Sequence, residues 1–336
     1  MRLATPRWWY VRDGAPAPLT RALLRPASWV WTWATRYRIA NARPFHASVP
    51  VICVGNLTLG GSGKTPVVRA IVRRLAAQGR SPHVLMRGYG GRLKGPVRVD
   101  LATHTAADVG DEALMLAKDA PAWVARDRAA GAAAAATAGA GAIVMDDGHQ
   151  NPSVAKTLSL VVVDAETRDR EWPFGDGQVF PAGPMREPLS DGLARADTVI
   201  LLLPADLGAP DPKLSALFAG GMLVLVARLA PAAAPPAGPQ VAFAGIGKPW
   251  KMERALIAAG CELADFAPFP DHARYDERTL GFLAARAEAL GAGLITSEKD
   301  WVKLPPGWRE RVAAWPVEAR FEDETALDAL LAPVFG

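Results

Sequence analysis

The sequence VICVGNLTLGGSGKTP, residues 51–66, decides the fold of this chain of 336 residues. Its first four residues, 51–54, are apolar and have the length of a short buried strand, whereas residues 66–78 show the spacing of an amphipathic helix. A glycine-rich turn that ends in Lys64 and Thr65 lies between the two. A strand, a turn of this composition and a helix, in that order, are typical of a P-loop that binds nucleotide phosphates.

The glycines of this turn allow backbone N–H groups to point inward at phosphate oxygens, and the start of the following helix adds a partial positive charge. In such a loop Lys64 neutralises the β- and γ-phosphates, and Thr65 offers its hydroxyl to Mg²⁺. The general pattern has a further glycine where this chain has Thr58, but a chance glycine turn would lack the flanking strand and helix. We therefore expect the nucleotide to bind at six consecutive residues, Gly60, Gly61, Ser62, Gly63, Lys64 and Thr65.

Apolar strands and helices continue to alternate along the chain. Continuous apolar strands separated by helices predict a mostly parallel sheet covered on both faces, which is an α/β fold of the P-loop NTPase type. A run rich in proline and alanine predicts a linker, because it suits neither helix nor strand. We therefore expect an N-terminal amphipathic helix segment at 1–45, a nucleotide-binding domain at 46–230, the linker at 231–239 and a smaller α/β domain at 240–336.

Composition excludes several classes of protein. The two cysteines, Cys53 and Cys261, cannot form a disulfide framework or a cysteine-based zinc site, which fits a reducing compartment. No apolar run approaches the roughly 18 residues of a spanning helix, and the N-terminus lacks the apolar core of a secretory signal. We therefore expect a protein that stays in the cytoplasm and does not cross a membrane.

The net charge of +4 is unevenly distributed, because the first 45 residues hold eight Arg, one acidic residue and five of the eleven Trp. Positive charge distributed evenly along the chain would favour nucleic acid, whereas basic residues concentrated in one Trp-rich segment favour a membrane surface. Residues 19–43 predict a helix, kinked or started at Pro26, with Trp29, Trp33 and Tyr37 on one face. The alternative is a helix that packs its Trp side chains against the domain.

A second motif with the composition of a nucleotide site is the apolar strand that ends in Asp146 and Asp147, about eighty residues after the turn. Nucleotide enzymes keep the carboxylate that binds Mg²⁺ at such a position. His149 follows in the same turn, where a structural role is the more common one.

Two acidic motifs have plain structural explanations as well. Asp111 and Glu112 open a helix, where acidic residues serve as caps and favour the first turn. Asp271 and His272 are as well explained by a turn, although a carboxylate–imidazole pair would suit the removal of a proton from a sugar hydroxyl. The sequence does not place these two motifs together.

Eight motifs in one order make the chain resemble the tetraacyldisaccharide 4′-kinase family, the lipid A 4′-kinases, over nearly its whole length. They are GNLTLGGSGKTP (55–66), RGYGGR (87–92), GDEALML (110–116), DDGHQN (146–151), FPAGPMREP (180–188), AGIGKP (244–249), FPDHARY (269–275) and TSEKDWVKLP (296–305). The resemblance implies transfer of the γ-phosphate of ATP, with Mg²⁺, to the 4′-hydroxyl of the lipid A disaccharide precursor.

The resemblance also implies roles for single residues. Lys64, Asp111 and His272 would be catalytic: Lys64 on the phosphates, Asp111 on the hydroxyl proton, and His272 as the partner that orients Asp111. Glu112 would lie near the metal, and Thr65 would bind it.

By the same resemblance, Asp146 would belong to the metal site and Asp147 to the nucleotide site. Arg87 and Arg186 would hold phosphate or headgroup charge, although a structural ion pair explains an Arg equally well. The family's N-terminal helix would contact lipid at the cytoplasmic face of the Gram-negative inner membrane. We expect neither nucleic acid nor an obligate protein partner.

Two other functions stay open from the residues. A P-loop ATPase switch of the partitioning or metal-insertion type uses a related loop, but with an additional Lys where this chain has Thr58 and Leu59. A non-catalytic scaffold at the membrane surface would bind nucleotide with hardly any turnover. ATP turnover that depends on the lipid acceptor distinguishes the three.

Overall fold

The structure, a computed structural model, describes residues 6–11 and 17–336. These residues form an α/β fold with two sheets. The larger sheet contains the strands β1 (Val51–Gly55), β2 (Pro82–Met86), β3 (Val97–Arg98), β4 (Ala122–Val124), β5 (Ala142–Asp146), β6 (Leu158–Asp164), β7 (Thr198–Pro204), β8 (Leu223–Pro231) and β13 (Val317–Phe321). The smaller sheet contains β9 (Gln240–Ala244), β10 (Leu263–Pro268), β11 (Gly293–Ser297) and β12 (Val312–Trp315).

Helices cover both sheets. They are α1 (Pro18–Ala40), α2 (Lys64–Ala77), α3 (Ala106–Val109), α4 (Asp111–Leu116), α5 (Arg128–Thr137), α6 (Leu189–Leu193), α7 (Pro212–Ala216), α8 (Pro249–Ala258), α9 (Glu277–Ala289), α10 (Glu298–Trp301), α11 (Pro306–Arg309) and α12 (Glu324–Leu331).

The larger sheet has the strand order β13-β8-β7-β6-β1-β5-β2-β4-β3 and is parallel except at β3 and β13. Strand β1 lies near its centre, paired in parallel with β5 and β6, and all five of its residues are buried. Such strands need apolar side chains on both faces, which is why they read as continuous apolar runs. The prediction of a mostly parallel sheet covered by helices is confirmed.

The smaller sheet is wholly parallel, with the order β10-β9-β11-β12. We assigned residues 240–336 to one smaller domain, but the end of the chain returns to the larger sheet, where β13 pairs with β8. The reason is packing: Ala319, Phe321 and Leu327 are buried in the core that also covers α2. Arg74 of α2 adds an ion pair with Asp328.

The long helix α1 contains Pro26 in its interior and buries a narrow polar face made of Arg21, Ser28 and Thr35. Ser28 accepts a hydrogen bond from the backbone N–H of Ala182 and donates one to the carbonyl of Val179. Of the segment 1–45, residues 1–5 and 12–16 lie outside the described residues.

The aromatic face of α1 points away from the protein. The side chains of Trp29, Trp33 and Tyr37 are 70%, 66% and 60% exposed, so they do not pack against the larger sheet. Trp31 is the partial exception, because its indole N–H donates to the carbonyl of Arg186 and its ring meets Phe180. Among the described helices, none combines the length and the apolar character that crossing a membrane requires.

Candidate active site

The phosphate loop connects β1 to α2. Gly63, the residue before the helix, has a φ of 73°, and a Cβ atom there would lie 2.4 Å from the side chain of Leu202. Both the left-handed backbone and the lack of space require glycine at this position. Helix α2 begins at Lys64, two residues earlier than the sequence predicted. Its free N–H groups therefore face the loop, as an anion site requires.

The first half of the loop is held by its neighbours. Asn56 donates its amide N–H to the carbonyl of Thr58 at 2.8 Å, and Gln150 donates to the carbonyl of Asn56 at 2.9 Å. The backbone N–H of Leu59 donates to the carbonyl of Pro184. Arg186 donates from Nε to the carbonyl of Thr58 at 3.0 Å. These bonds set the loop's shape before any nucleotide is present.

Lys64, Asp147 and Arg186 form one charged group beside the loop. The Nζ of Lys64 lies 3.4 Å from Asp147 and 3.2 Å from the side-chain oxygen of Asn56, and Arg186 pairs with Asp147 at 2.9 Å. Burial opposes ionisation of Asp147, but the two cations outweigh it and lower its pKa below the usual range. Asp147 thus pairs with the ammonium group of Lys64. The phosphate oxygens of a nucleotide would compete with Asp147 for that group.

Asp146, the last residue of β5, is buried with a side-chain oxygen that has no hydrogen-bond partner among the described residues. Burial, together with the nearby charge of Glu112, raises the pKa of Asp146 to about 7. A divalent cation would relieve this cost, so the carboxylate fits a Mg²⁺ ligand. The hydroxyl of Ser62 in the phosphate loop is likewise buried without a partner.

Within the described residues, no group of three or more His, Cys, Asp or Glu side chains is arranged to hold a metal. Mg²⁺ does not need such a group, because it usually keeps several waters and binds one or two carboxylates plus phosphate oxygens. The donors present here, Asp146, Glu112 and the hydroxyl of Thr65, therefore fit Mg²⁺ bound together with a nucleotide.

The structure brings Asp111 and His272 together from distant parts of the chain. The Nδ1 of His272 lies 2.9 Å from Oδ2 of Asp111, although the two residues are 161 positions apart. Asp111 opens α4, and His272 follows β10 in a left-handed backbone conformation with a φ of 57°. Burial acts to raise the pKa of Asp111, but the His272 hydrogen bond and the charge of Lys299 outweigh it and lower the pKa to about 2.

Lys299, at the start of α10, is a member of this group that the sequence did not single out. Its Nζ lies 3.4 Å from Glu112, 3.4 Å from Asp271 and 3.5 Å from Nε2 of His272. Burial disfavours the charge of Lys299, yet the carboxylates around it raise its pKa. The available signal was the motif TSEKDWVKLP, whose first lysine, Lys299, follows a strand end.

Two arginines differ in their surroundings. Arg87, which follows β2, is exposed and makes no hydrogen bond or ion pair within the described chain. Arg128, which the sequence did not single out, is buried at the start of α5, and burial lowers its pKa to about 10. It interacts electrostatically with Asp146 and Asp147, so it adds positive charge behind the proposed metal site.

A cleft of about 230 Å³ opens on the Asp111–His272 pair. The ring of Tyr89 forms part of its wall, 5.1 Å from the ring of His272. His149 does not line this cleft. Both of its ring nitrogens are hydrogen-bonded, to Ser159 and to the carbonyl of Gly192, and burial lowers its pKa to about 4.

Comparison of the sequence with known protein families gives a match over nearly the whole chain. The family described as "LpxK: Tetraacyldisaccharide-1-P 4'-kinase" matches residues 20–335. The chain belongs to this family. It is 68% identical over 331 residues to the tetraacyldisaccharide 4'-kinase of Caulobacter vibrioides strain NA1000 / CB15N, and the aligned residues cover 98% of each of the two chains. It is 67% identical over 331 residues to that of Phenylobacterium zucineum strain HLK1, covering 98% of this chain and 99% of that one.

A more distant family member is the tetraacyldisaccharide 4'-kinase of Rhodospirillum centenum, 52% identical over 336 residues and 99% of this chain, with 97% of its own length covered. One solved structure that resembles this fold is the "apo" form of LpxK from Aquifex aeolicus in complex with ATP, at 2.2 Å resolution. It shares 24% identity, covers 94% of this chain and all of its own, and has a TM-score of 0.74. This likeness establishes the fold that the family shares.

In this member of the LpxK family, the predicted site residues fall into two groups. The larger sheet carries the phosphate loop, Asp111, Glu112 and the pair Asp146–Asp147, whereas His272 and Lys299 come from the part that follows β8. The pair Asp111–His272 therefore forms only where the two sheets meet.

Proposed function

We propose that this protein transfers the γ-phosphate of ATP to the 4′-hydroxyl of a tetraacylated glucosamine disaccharide 1-phosphate, the lipid A precursor. Family membership supports the reaction, and one observation supports the site: the turn that touches the phosphate loop at Gly61 also binds the backbone of His272, the partner of Asp111. A phosphate donor and a proton acceptor are the two parts that a kinase needs.

Lys64 and the N–H groups of the loop would bind the phosphates and stabilise the charge that spreads over the transferred group. Lys64 would exchange its contact with Asp147 for the β- and γ-phosphates. Mg²⁺ would be held by Asp146, Thr65 and Glu112, and when bound it neutralises charge on the phosphate oxygens. The remaining steps rest on side chains of this chain alone.

Asp111 would accept the hydroxyl proton. Its low pKa keeps it ionised at neutral pH, so it is always ready to orient the hydroxyl, although it is a weak base. A weak base is sufficient, because phosphoryl transfer passes through a loose transition state in which the attacking oxygen bonds late. His272 would hold the carboxylate in one orientation, and Lys299 would stabilise the negative charge around it.

We further propose that the protein acts at the cytoplasmic face of the Gram-negative inner membrane, with α1 lying in the headgroup layer. The exposed aromatic face made of Trp29, Trp33 and Tyr37 supports this, because amphipathic rings favour the membrane interface. The acyl chains of the acceptor would leave the cleft toward this layer.

The decisive experiment incubates the protein with γ-labelled ATP and the disaccharide 1-phosphate in detergent micelles. Mass and position of the new phosphate identify the product. Lys64→Ala should abolish transfer, and Lys213→Ala serves as the matched control, because the side chain of that exposed lysine forms no hydrogen bond or ion pair within the described chain. ATP hydrolysis that proceeds equally fast without lipid would instead indicate an ATPase switch.

A further inference from the structure

The turn between β9 and α8 lies directly on the phosphate loop. A Cβ atom at Gly247 would come within 2.8 Å of the backbone nitrogen of Gly61, and one at Gly61 would lie 3.6 Å from the Cα of Gly247. Two backbones therefore touch with no side chain between them. The same turn holds His272, whose backbone N–H donates to the carbonyl of Gly245 at 3.1 Å. This turn thus contacts both the phosphate loop and the partner of the base.

Lys248 follows this turn and connects it to the larger sheet. Its Nζ lies 3.0 Å from Asp164, the last residue of β6, and 2.8 Å from Glu171. The side chains of all three residues are less than a fifth exposed. The surrounding carboxylates raise the pKa of Lys248 against the effect of burial, so it stays charged. An ion pair with this little solvent is far less screened than one at the surface.

Tyr10 connects the same lysine to the phosphate loop. The Nζ of Lys248 lies 4.9 Å from the centre of the Tyr10 ring, and the Tyr10 hydroxyl donates a hydrogen bond to the carbonyl of Leu59. The backbone carbonyl of Tyr10 accepts from the N–H of Trp172 at 2.7 Å, next to Glu171. Tyr10 therefore contacts the loop directly, whereas Lys248 is joined to it through the neighbouring Gly247 and through the Tyr10 ring, and both residues contact the segment that holds Glu171.

We propose that Lys248 and Tyr10 are positioning residues for phosphoryl transfer, which set the phosphate loop at a fixed distance from the Asp111–His272 pair. This inference rests on the proposed kinase function. It follows from the geometry, because His272 follows β10 of the smaller sheet, whereas the phosphate loop follows β1 of the larger sheet. Only contacts between the two sides can keep the γ-phosphate in line with the hydroxyl.

The test compares two substitutions that each remove two ion pairs across the same interface. Lys248→Met removes the pairs with Asp164 and Glu171, whereas Arg254→Met removes those with Glu166 and Asp169. Within the described chain, Arg254 forms no hydrogen bond or ion pair with the phosphate loop. An ångström of misplacement typically costs about a hundredfold in rate. We therefore expect kcat/KM for ATP to fall by about tenfold to a hundredfold in Lys248→Met and to stay unchanged in Arg254→Met.

Two further variants keep the test sharp if Lys248→Met does not fold. Lys248→Arg retains the charge and should recover most of the activity. Tyr10→Phe removes one hydroxyl, leaves the ring under Lys248 and should raise the KM for ATP while the KM for lipid stays the same. In the double variant the losses should not multiply, because groups that act as one unit lose their effect together.

Equal kinetics of Lys248→Met and Arg254→Met, or a wild-type KM for ATP in Tyr10→Phe, would overturn the inference. Failure of the proposed function has a different signature, since the wild-type protein would then show no lipid phosphorylation at all. Nucleotide affinity, measured by titration with a fluorescent ATP analogue, still tests the positioning of the loop in that case. A drop in affinity for Lys248→Met alone supports it, and equal affinities contradict it.

Discussion

Asp146 offers the sharpest quantitative prediction, because the structure makes its charge unfavourable in the nucleotide-free protein. Its pKa is raised from 3.8 to about 7, first by burial and then by the charge of Glu112. The penalty for the charged form is absent below pH 4, develops as the pH rises from 4 to 7, and is complete above pH 7. Asp146→Asn removes this titration and should therefore stabilise the free protein at pH 8.

The size of the effect follows from the shift. One pKa unit corresponds to about 1.4 kcal/mol, so a rise of about three units sets an upper limit of about 4 kcal/mol. Part of the shift is repulsion between Asp146 and Glu112, and the amide of the variant must still be buried. We therefore expect Asp146→Asn to raise the free energy of unfolding by about 2 to 4 kcal/mol. At roughly 2 °C per kcal/mol for a chain of this size, Tm should rise by about 4 to 8 °C.

The assay is thermal and urea unfolding of both proteins with a metal chelator present, from pH 5 to pH 9. The difference between variant and wild type should grow with pH up to about 7 and then level off. Asp147→Asn is the control of opposite sign, since its pKa is lowered and its charge stabilises the protein. Because Asp147 is 40% exposed, we expect a loss of only about 1 kcal/mol or less. An Asp146→Asn protein that is less stable than wild type at pH 8 would refute the reasoning.

Three further predictions concern the reaction and the membrane. Lys64→Ala should reduce kcat by at least about a hundredfold while Tm changes little, since its charge serves the transferred phosphate; near-normal transfer would remove Lys64 from the site. Asp111→Ala should lower kcat strongly with ATP affinity unchanged, and adding His272→Ala should cost hardly more; losses that multiply would show that the two act independently. Replacing Trp29 and Trp33 by Ser should reduce co-sedimentation with anionic liposomes and raise the KM for lipid alone, and unaltered binding would contradict the role of α1.

The sequence by itself predicted the phosphate loop and most of the elements around it. Residues 51–66 combine an apolar strand, a glycine turn and a helix start, and each of these depends on neighbours within a few positions. The acidic end of β5 was predictable for the same reason. The sequence did not reveal that the chain returns to the larger sheet as β13, because an antiparallel edge strand of five residues carries only a weak local pattern.

Only the tertiary structure decided which residues meet. Asp111 and Asp271–His272 each had a sufficient local explanation as a cap or a turn, and their hydrogen bond spans 161 positions. Lys299 had no local signal of charge pairing, yet it lies among three members of the site. The orientation of α1 was open as well, and the buried polar face through Ser28 settled that its aromatic rings point outward. Local patterns record which side chains share a face, but contacts between distant segments depend on how the two sheets pack against each other, which no short stretch of sequence encodes.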